Sequence, residues 1–329
     1  MKAIVQKRFG PPEILRLEDV GRPEAGPGEV LVRVRAAALN PYDWHMMRGD
    51  PYVARLLGGM GVTRPKVPVA GIDAAGQVAA VGPGVQGVEP GDEVLGFCPG
   101  AFAEYARTTA DLVVPKPAGL TFEQAAAVPM AAVTALRGIR TVGEAKAGQR
   151  VLVNGAAGGV GSFAVQIASA LDAEVTAVCS PGNADLARSS GAAHVIDYTR
   201  QDFTSTDTRY DLILDNVGNH PLSRLRRALT PAGILVANGG GSPGRVVGAV
   251  GSTLRLVAAN TVVRQRLRVI LPAAPAGPIR EDLLAVTALI EAGRLTPVVG
   301  RTYPLAGTAE AMRHVEAGHA RGKAVITVP

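Results

Sequence analysis

Cysteine is nearly absent from this chain of 329 residues: only Cys98 and Cys179 occur, far apart, and no CxxC pair exists. A Cys-based structural zinc site therefore cannot be built, and no disulfide framework is expected. The five histidines (His45, His194, His220, His314 and His319) show no HxxxH or HExxH spacing, so the pattern disfavours a metal enzyme. Aromatic residues make up 4% of the chain. A nucleic-acid surface would interleave aromatics with a basic stripe. The net charge of +6 instead comes mostly from dispersed arginines, which read as solvated faces. No apolar run approaches the ~18 residues of a membrane helix. The opening "MKAIVQKRFGPP" has no long apolar segment of the signal-peptide kind. The expectation is a soluble, cytoplasmic protein with neither a nucleic-acid nor a membrane partner.

What is present is ordinary globular material, 47% hydrophobic and 19% charged, long enough for two domains. A mild basic excess suits an anionic ligand such as a phosphorylated cofactor. The first ~120 residues read as short strands broken by Gly and Pro: "EVLVRVRAA", "GQVAAVG", "DEVLGF" and "FAEYARTT". That spacing predicts a partly open β barrel. Near Thr121 the character changes. "TFEQAAAVPMAAVTALRGI" is Ala-rich and reads as helical, with Thr121 and Gln124 at capping-box spacing. Strands and helices then alternate from "RVLVN" to "GILVAN", which predicts a parallel sheet covered on both faces. The edge-like strand "RLRVILPAA" points to a homodimer, because pairing protects an open ladder. The last strands, around "GRTYPL" and "GKAVITV", have no sheet of their own and are expected to return to the first domain.

The strongest motif is "VLVNGAAGGVG", Val151 to Gly161. Gly155, Gly158 and Gly161 sit three apart, after a strand and at the start of a helix whose Val160, Phe163, Ile167 and Leu171 share one face. Such a segment turns sharply, lets the backbone touch a diphosphate, and packs the helix close to the sheet. The helix start attracts the anion. Gly159 and Val160 belong to the same turn. Readers of the unphosphorylated dinucleotide end the second strand on an acidic residue. Here that strand ends at Cys179–Ser180, with Glu174 at the wrong end, which favours NADPH and leaves NADH possible. Ser180 can donate to a 2′-phosphate, and Tyr198 and Arg200 follow the third strand. "DNVGN" (Asn216, Val217) and "NGGGS" (Gly239, Gly240) fall at later strand ends and are candidate cofactor loops.

Together "LNPYDWHMMRGD", "PVAGIDAAGQVAAVG", "PGDEVLGF", "GAFAEYA", "AAAVPMAAVTAL", "GAAGGVG", "GAAHVIDY" and "GRTYPL" resemble the medium-chain dehydrogenase/reductase superfamily, in its zinc-independent quinone oxidoreductase branch. The resemblance spans nearly the whole length. It implies a GroES-like domain over residues 1–122 and 277–329, with a Rossmann domain over 123–276 inserted and NADPH held in the cleft. The metal ligands of the zinc-dependent members fall at Asn40, Ile72–Asp73 and about Met130, where neither Cys nor the His survives; no metal is expected. By the same resemblance Asn40 lies by the nicotinamide ribose, Thr134 is near the cofactor, Tyr52 lines the substrate cleft, and Lys323 is a tail candidate for the cofactor. Asn183 stands where a Lys is common in relatives. Read as local structure alone, Asn40 caps a short helix with Pro41 at its first position and Gly49 at its end.

The expected chemistry is direct hydride transfer to a quinone or an α,β-unsaturated carbonyl. Conjugation already activates such an acceptor, so it needs only positioning and a hydrogen-bond donor for the developing enolate. Asn40 or Tyr42 is the candidate donor and Tyr52 or water the candidate proton source. An enoyl-thioester or alkenal reductase on the same scaffold, and a non-catalytic NADPH-binding protein, are the alternatives.

Overall fold

The structure is a computed structural model that describes residues 1–50, 52–56, 60–238, 256, 258–260, 263–270, 279–318 and 320–329. The chain divides into two compact units. Unit 1 comprises Met1–Val133 and Pro275–Pro329, and unit 2 comprises Thr134–Ala274.

The N-terminal part of unit 1 runs β1 (Lys2–Val5), β2 (Arg16–Asp19), β3 (Glu29–Ala38), α1 (Pro41–Arg48), α2 (Tyr52–Leu56), β4 (Asp73–Val81), β5 (Glu93–Phe97), β6 (Tyr105–Thr109) and β7 (Val113–Pro115). Two short helices follow, α3 (Phe122–Ala126) and α4 (Pro129–Leu136). The middle of the chain gives β8 (Arg150–Asn154), α5 (Gly159–Ala170), β9 (Glu174–Cys179), α6 (Ala184–Ser189), β10 (His194–Asp197), β11 (Tyr210–Asp215), α7 (Leu222–Ala228), β12 (Leu229–Ala237) and β13 (Arg266–Val269). The chain ends with α8 (Ile279–Glu291), β14 (Val299–Pro304), α9 (Thr308–Glu316) and β15 (Lys323–Thr327).

The main sheet of unit 1 has seven strands along the path β14-β15-β3-β4-β5-β7, with β6 also paired to β3. As expected of a partly open barrel, its ladder does not close among the described residues. β3 organises it. One of its edges pairs with β4 along most of its length, and the other carries β6 on Glu29–Arg33 and β15 on Ala36–Ala38. Two register shifts in the β3–β4 ladder bend the strand as it passes between these neighbours. The alternation in β3 buries Val30, Val32 and Val34, which join Phe102, Met312 and Ile326 in one core.

Unit 2 has a six-stranded sheet of order β10-β9-β8-β11-β12-β13, and every pair is parallel. Counted from β8, this is the 3-2-1-4-5-6 order of a doubly wound dinucleotide fold. Val151, Leu152 and Val153 of β8 are fully buried, as a central strand covered on both faces requires. The strand order reverses between β8 and β11, and ligands of such sheets sit there, beyond the carboxyl ends. Among the described residues β10 and β13 are its edge strands.

The Ala-rich stretch after Thr121 is not one helix. The predicted cap is there: Gln124 N–H donates to Thr121 Oγ1 at 3.2 Å, and Thr121 N–H to Gln124 Oε1 at 3.0 Å. But the helix breaks between Ala126 and Pro129 and restarts. Proline has no N–H to donate and disfavours helical geometry in the residue before it, so Pro129 opens a second helix instead of continuing the first. A π-helical turn, Arg137–Thr141, extends α4.

Candidate functional site

The glycine turn lies where β8 hands over to α5. Gly155 has φ +76°, a left-handed conformation that L side chains rarely adopt, and a Cβ there would meet Val217 Cγ2 at 2.9 Å. Gly161 sits on the first turn of α5 against the backbone of Gly155 and Ala156, where a Cβ would collide. This close approach seats the helix on the sheet. Gly158 is the N-cap of α5 with φ −77° and ψ 179°, and its Cβ position meets only Gly155 O at 3.6 Å. Ser162 N–H makes the bond back to Gly158 O at 2.9 Å. The N–H groups of Gly159, Val160 and Gly161 precede it and point out of the helix start, as an anion requires. A dinucleotide diphosphate fits this cradle.

At the reversal of strand order an amide network joins the neighbouring loops. Asn154 and Asp215 end β8 and β11 in register. Asn154 Nδ2 donates to Asp215 Oδ1 at 2.9 Å and to Asn219 Oδ1 at 3.1 Å. Asp215 Oδ1 also accepts the N–H groups of Val217 and Gly218. Asn216 Nδ2 donates to Asn154 O at 3.0 Å, and Asn238 Nδ2 to Asn216 Oδ1 at 2.8 Å. The structure therefore brings Asn216 and Val217 beside the glycine turn, with Val217 over Gly155. Asp215 and Asn219 belong to the candidate loop "DNVGN", and Asn154, which the sequence reading did not single out, joins them. Gly239 and Gly240 lie outside the described residues.

Ser180 follows β9 and Tyr198 follows β10, adjacent strands whose ends Tyr198 N–H links by donating to Cys179 O at 3.4 Å. Ser180 Oγ accepts from Asn183 Nδ2 at 2.9 Å. Asp197, in register with Cys179, is a carboxylate one strand away; its Oδ1 accepts from Thr199 N–H and Oγ1–H.

In unit 1 the residues around Asn40 form a buried polar cluster. Asn40 precedes α1 and Pro41 opens it, and Gly49 ends it with φ +65°. Asn40 N–H donates to Asp43 Oδ2 at 2.7 Å. Its side chain is taken at both ends: Nδ2 donates to Asp73 Oδ2 at 3.0 Å and to Ala38 O at 3.4 Å, and Oδ1 accepts from Lys323 Nζ at 2.5 Å. Asp73 Oδ2 also accepts Met130 N–H at 3.2 Å, a free donor of the first turn of α4. Burial pushes the Asp43 carboxyl up to about 7, with the nearby Asp73 charge adding to the rise. Burial also raises Asp73, against the pull of Lys323 and Asn40. The Lys323 ammonium is lowered by burial and held up by Asp73 and Asp43.

The Asn40 side chain is 2% exposed, and its two amide hydrogens face Asp73 and Ala38. Lys323 turns its ammonium onto Leu39 O at 2.8 Å, Asn40 and Asp73, inside unit 1. Tyr42, one position into α1 from Pro41, is half-buried; burial and the Asp43 charge raise its phenol, which keeps the O–H in place at neutral pH. Tyr52 begins α2, exposed, with the Arg55 guanidinium 4.6 Å from its ring centroid. Thr134 lies half-buried on α4. His45 stacks on Trp44 with ring centroids 3.7 Å apart, and its Nδ1 is buried without a partner. Among the described residues no three His, Cys, Asp or Glu side chains converge as a metal site would need.

Comparison with known proteins agrees with this architecture. Residues 26–118 match the alcohol dehydrogenase GroES-like domain model, and residues 190–326 match the zinc-binding dehydrogenase model. The chain is 34% identical over 369 residues to the NAD(P)H oxidoreductase RTN4IP1, mitochondrial, of Bos taurus, covering 100% of this chain and 89% of that protein. It is 32% identical over 344 residues to the NADPH-dependent alkenal/one oxidoreductase, chloroplastic, of Arabidopsis thaliana, covering 99% of this chain and 79% of that one. The solved structure of the quinone oxidoreductase from Coxiella burnetii superposes with TM-score 0.83 at 31% identity, over 100% of this chain and 99% of that one. A nearly full-length match to these proteins, on a dinucleotide sheet with a GroES-like partner unit, makes this chain a member of the medium-chain dehydrogenase/reductase superfamily, in its quinone oxidoreductase-like branch.

Proposed function

We propose that the chain is a zinc-independent NADPH-dependent reductase that delivers hydride to the electron-poor carbon of a quinone or an α,β-unsaturated carbonyl compound. The observation that carries this reading is the donor set around Asn40. At the three positions where zinc-dependent relatives hold their metal stand an amide, a carboxylate and a backbone N–H, and Lys323 closes the group with its own ammonium. Without a Lewis acid to polarise an alcohol, the acceptor must arrive already activated. A conjugated carbonyl is.

Bound NADPH supplies the hydride. The remaining work falls to the chain. The glycine turn and the start of α5 hold the diphosphate, and the Asn154–Asp215 network holds the neighbouring loop. Tyr42 donates its O–H to the carbonyl oxygen as negative charge develops there. A proton from Tyr52 or from water then reaches the α-carbon of the enolate, or the oxygen of the reduced quinone, so that one hydride and one proton give the saturated ketone or the hydroquinone. Cofactor choice rests on Ser180 and Tyr198. Ser180→Glu is expected to weaken NADPH binding by roughly 30-fold, about 2 kcal/mol of like-charge repulsion at the 2′-phosphate, and to leave NADH nearly unchanged. Calorimetric titration with both nucleotides checks it.

The cytoplasmic location and the homodimer belong to the same reading. No helix of the described residues is long and apolar enough to cross a membrane, and the edge position of β13 supports a pairing partner. The test of function is the rate of NADPH oxidation with quinones, enones and enoyl thioesters, with NADH in parallel. Turnover of quinones or enones is the expected result. Turnover of enoyl thioesters alone would move the assignment to that class, and binding without turnover would make the protein a cofactor-binding module.

A further inference from the structure

Two carboxylates and one ammonium lie buried together in unit 1, and the reaction above uses none of them directly: Asp43, Asp73 and Lys323. Lys323 comes from β15, Asp73 from the start of β4, and Asp43 from the first turn of α1. Asn40 sits among them with its backbone N–H on Asp43 and its side chain between Asp73 and Lys323. A buried ammonium persists only when its donors are matched, and here the chain supplies a carbonyl, an amide oxygen and a carboxylate oxygen 3.6 Å away. Asp73 Oδ1 has no protein partner, so this side of the cluster leans on the Lys323 charge.

We propose that Lys323 is a positioning residue for the reaction: by fixing the Asn40 amide and the Asp73 carboxylate it sets the first turn of α1, and with it Tyr42 and Trp44. Lysine suits this task, as a compact charge with three donors on a flexible stem that reaches the cluster from a separate strand. The charged groups facing Asp43 are Asp73 from β4 and Lys323 from β15, with Tyr42 beside it on its own helix. Lys323 lowers the titration of both carboxylates, and Asp73 raises that of Asp43. Removing the ammonium therefore moves Asp43 to higher pH, and removing the Asp73 charge moves it lower.

Trp44 is the chain's one tryptophan and follows Asp43 directly, so its emission reports this turn without any substrate; because the His45 imidazole stacks on its ring, every sample carries His45→Gln. The experiment titrates Trp44 fluorescence with pH in the wild type, Lys323→Met, Lys323→Arg and Asp73→Asn, alongside kcat and the NADPH Kd. The wild-type transition is expected near pH 7, where burial places the Asp43 carboxyl. Lys323→Met should raise the midpoint by about 1 pH unit and lower kcat tenfold or more, with the NADPH Kd within about twofold. Lys323→Arg should keep the midpoint within about 0.5 unit, and Asp73→Asn should lower it. If Lys323→Met does not fold, the other two variants still decide: a midpoint that moves in Lys323→Arg, or that fails to fall in Asp73→Asn, overturns the proposal. A wild-type midpoint in both Lys323→Met and Asp73→Asn overturns the proposal. So does a tenfold rise in the NADPH Kd of Lys323→Met without a midpoint shift, which would return the residue to the cofactor. The kcat arm rests on the reading of Tyr42 above; the fluorescence arm does not, so a failed substrate assignment leaves it intact.

Discussion

Gly158→Asp is expected to abolish NADPH binding while leaving the fold unharmed. The two halves of that statement have separate physical grounds. Gly158 has φ −77° and ψ 179°, extended backbone open to any residue, and a Cβ there meets nothing closer than Gly155 O at 3.6 Å. Aspartate is among the best N-cap residues, so α5 keeps or gains stability and Tm should stay within about 2 °C. The new carboxylate, however, stands at the helix start where the diphosphate binds. Like charges forced together there cost about 4 kcal/mol, which is roughly a thousandfold in Kd. Nucleotide titration followed by fluorescence, with a thermal melt of the same sample, measures both. Normal NADPH affinity in the variant would mean that the cofactor lies elsewhere.

Tyr42→Phe is expected to lower kcat by about 10² to 10³, the usual loss when one donor to a developing oxyanion is removed. Three observations support the phenol as the proposed donor. It lies on the first turn of α1, beside the Asn40 cluster that fixes that turn. Burial and the Asp43 charge raise its pKa, so the O–H is intact at neutral pH. The Asn40 amide, the other candidate, has spent its hydrogens on Asp73 and Ala38. Phenylalanine keeps the ring, so the loss should appear in kcat while the NADPH Kd is unchanged. Pre-steady-state absorbance at the nicotinamide band separates the two. An unchanged kcat would take Tyr42 out of the chemistry.

The dinucleotide unit was largely legible in the sequence because its signals are local. β8, the glycine turn and α5 are contiguous, and each apolar strand of the unit is bounded by its own turn. The helix break at Pro129 was legible too, in principle; the alanine content of the stretch outweighed a single proline in the reading. The Asn40 cluster was legible only through the family resemblance, which sets Asn40, Asp73 and Met130 at one site, and not through local spacing. It joins residues separated by up to 283 positions, and no spacing rule connects the end of β3 to the start of β15. Its one local signal is Asp73, a lone charge within "PVAGIDAAG" where a buried strand begins. The neighbours of Lys323 in sequence likewise say nothing of Asp73. Asn154 was hidden differently. It looked like the last residue of a strand, and only the register of β8 against β11 sets it opposite Asp215.

The most direct measurement uses NADPH carrying deuterium at the transferring C4 position and an enone turned over by the protein. The account predicts that the label appears on the β-carbon of the saturated ketone, with the second hydrogen drawn from solvent. Deuterium washed into water, or an enone returned unreduced while NADPH binds, would contradict it.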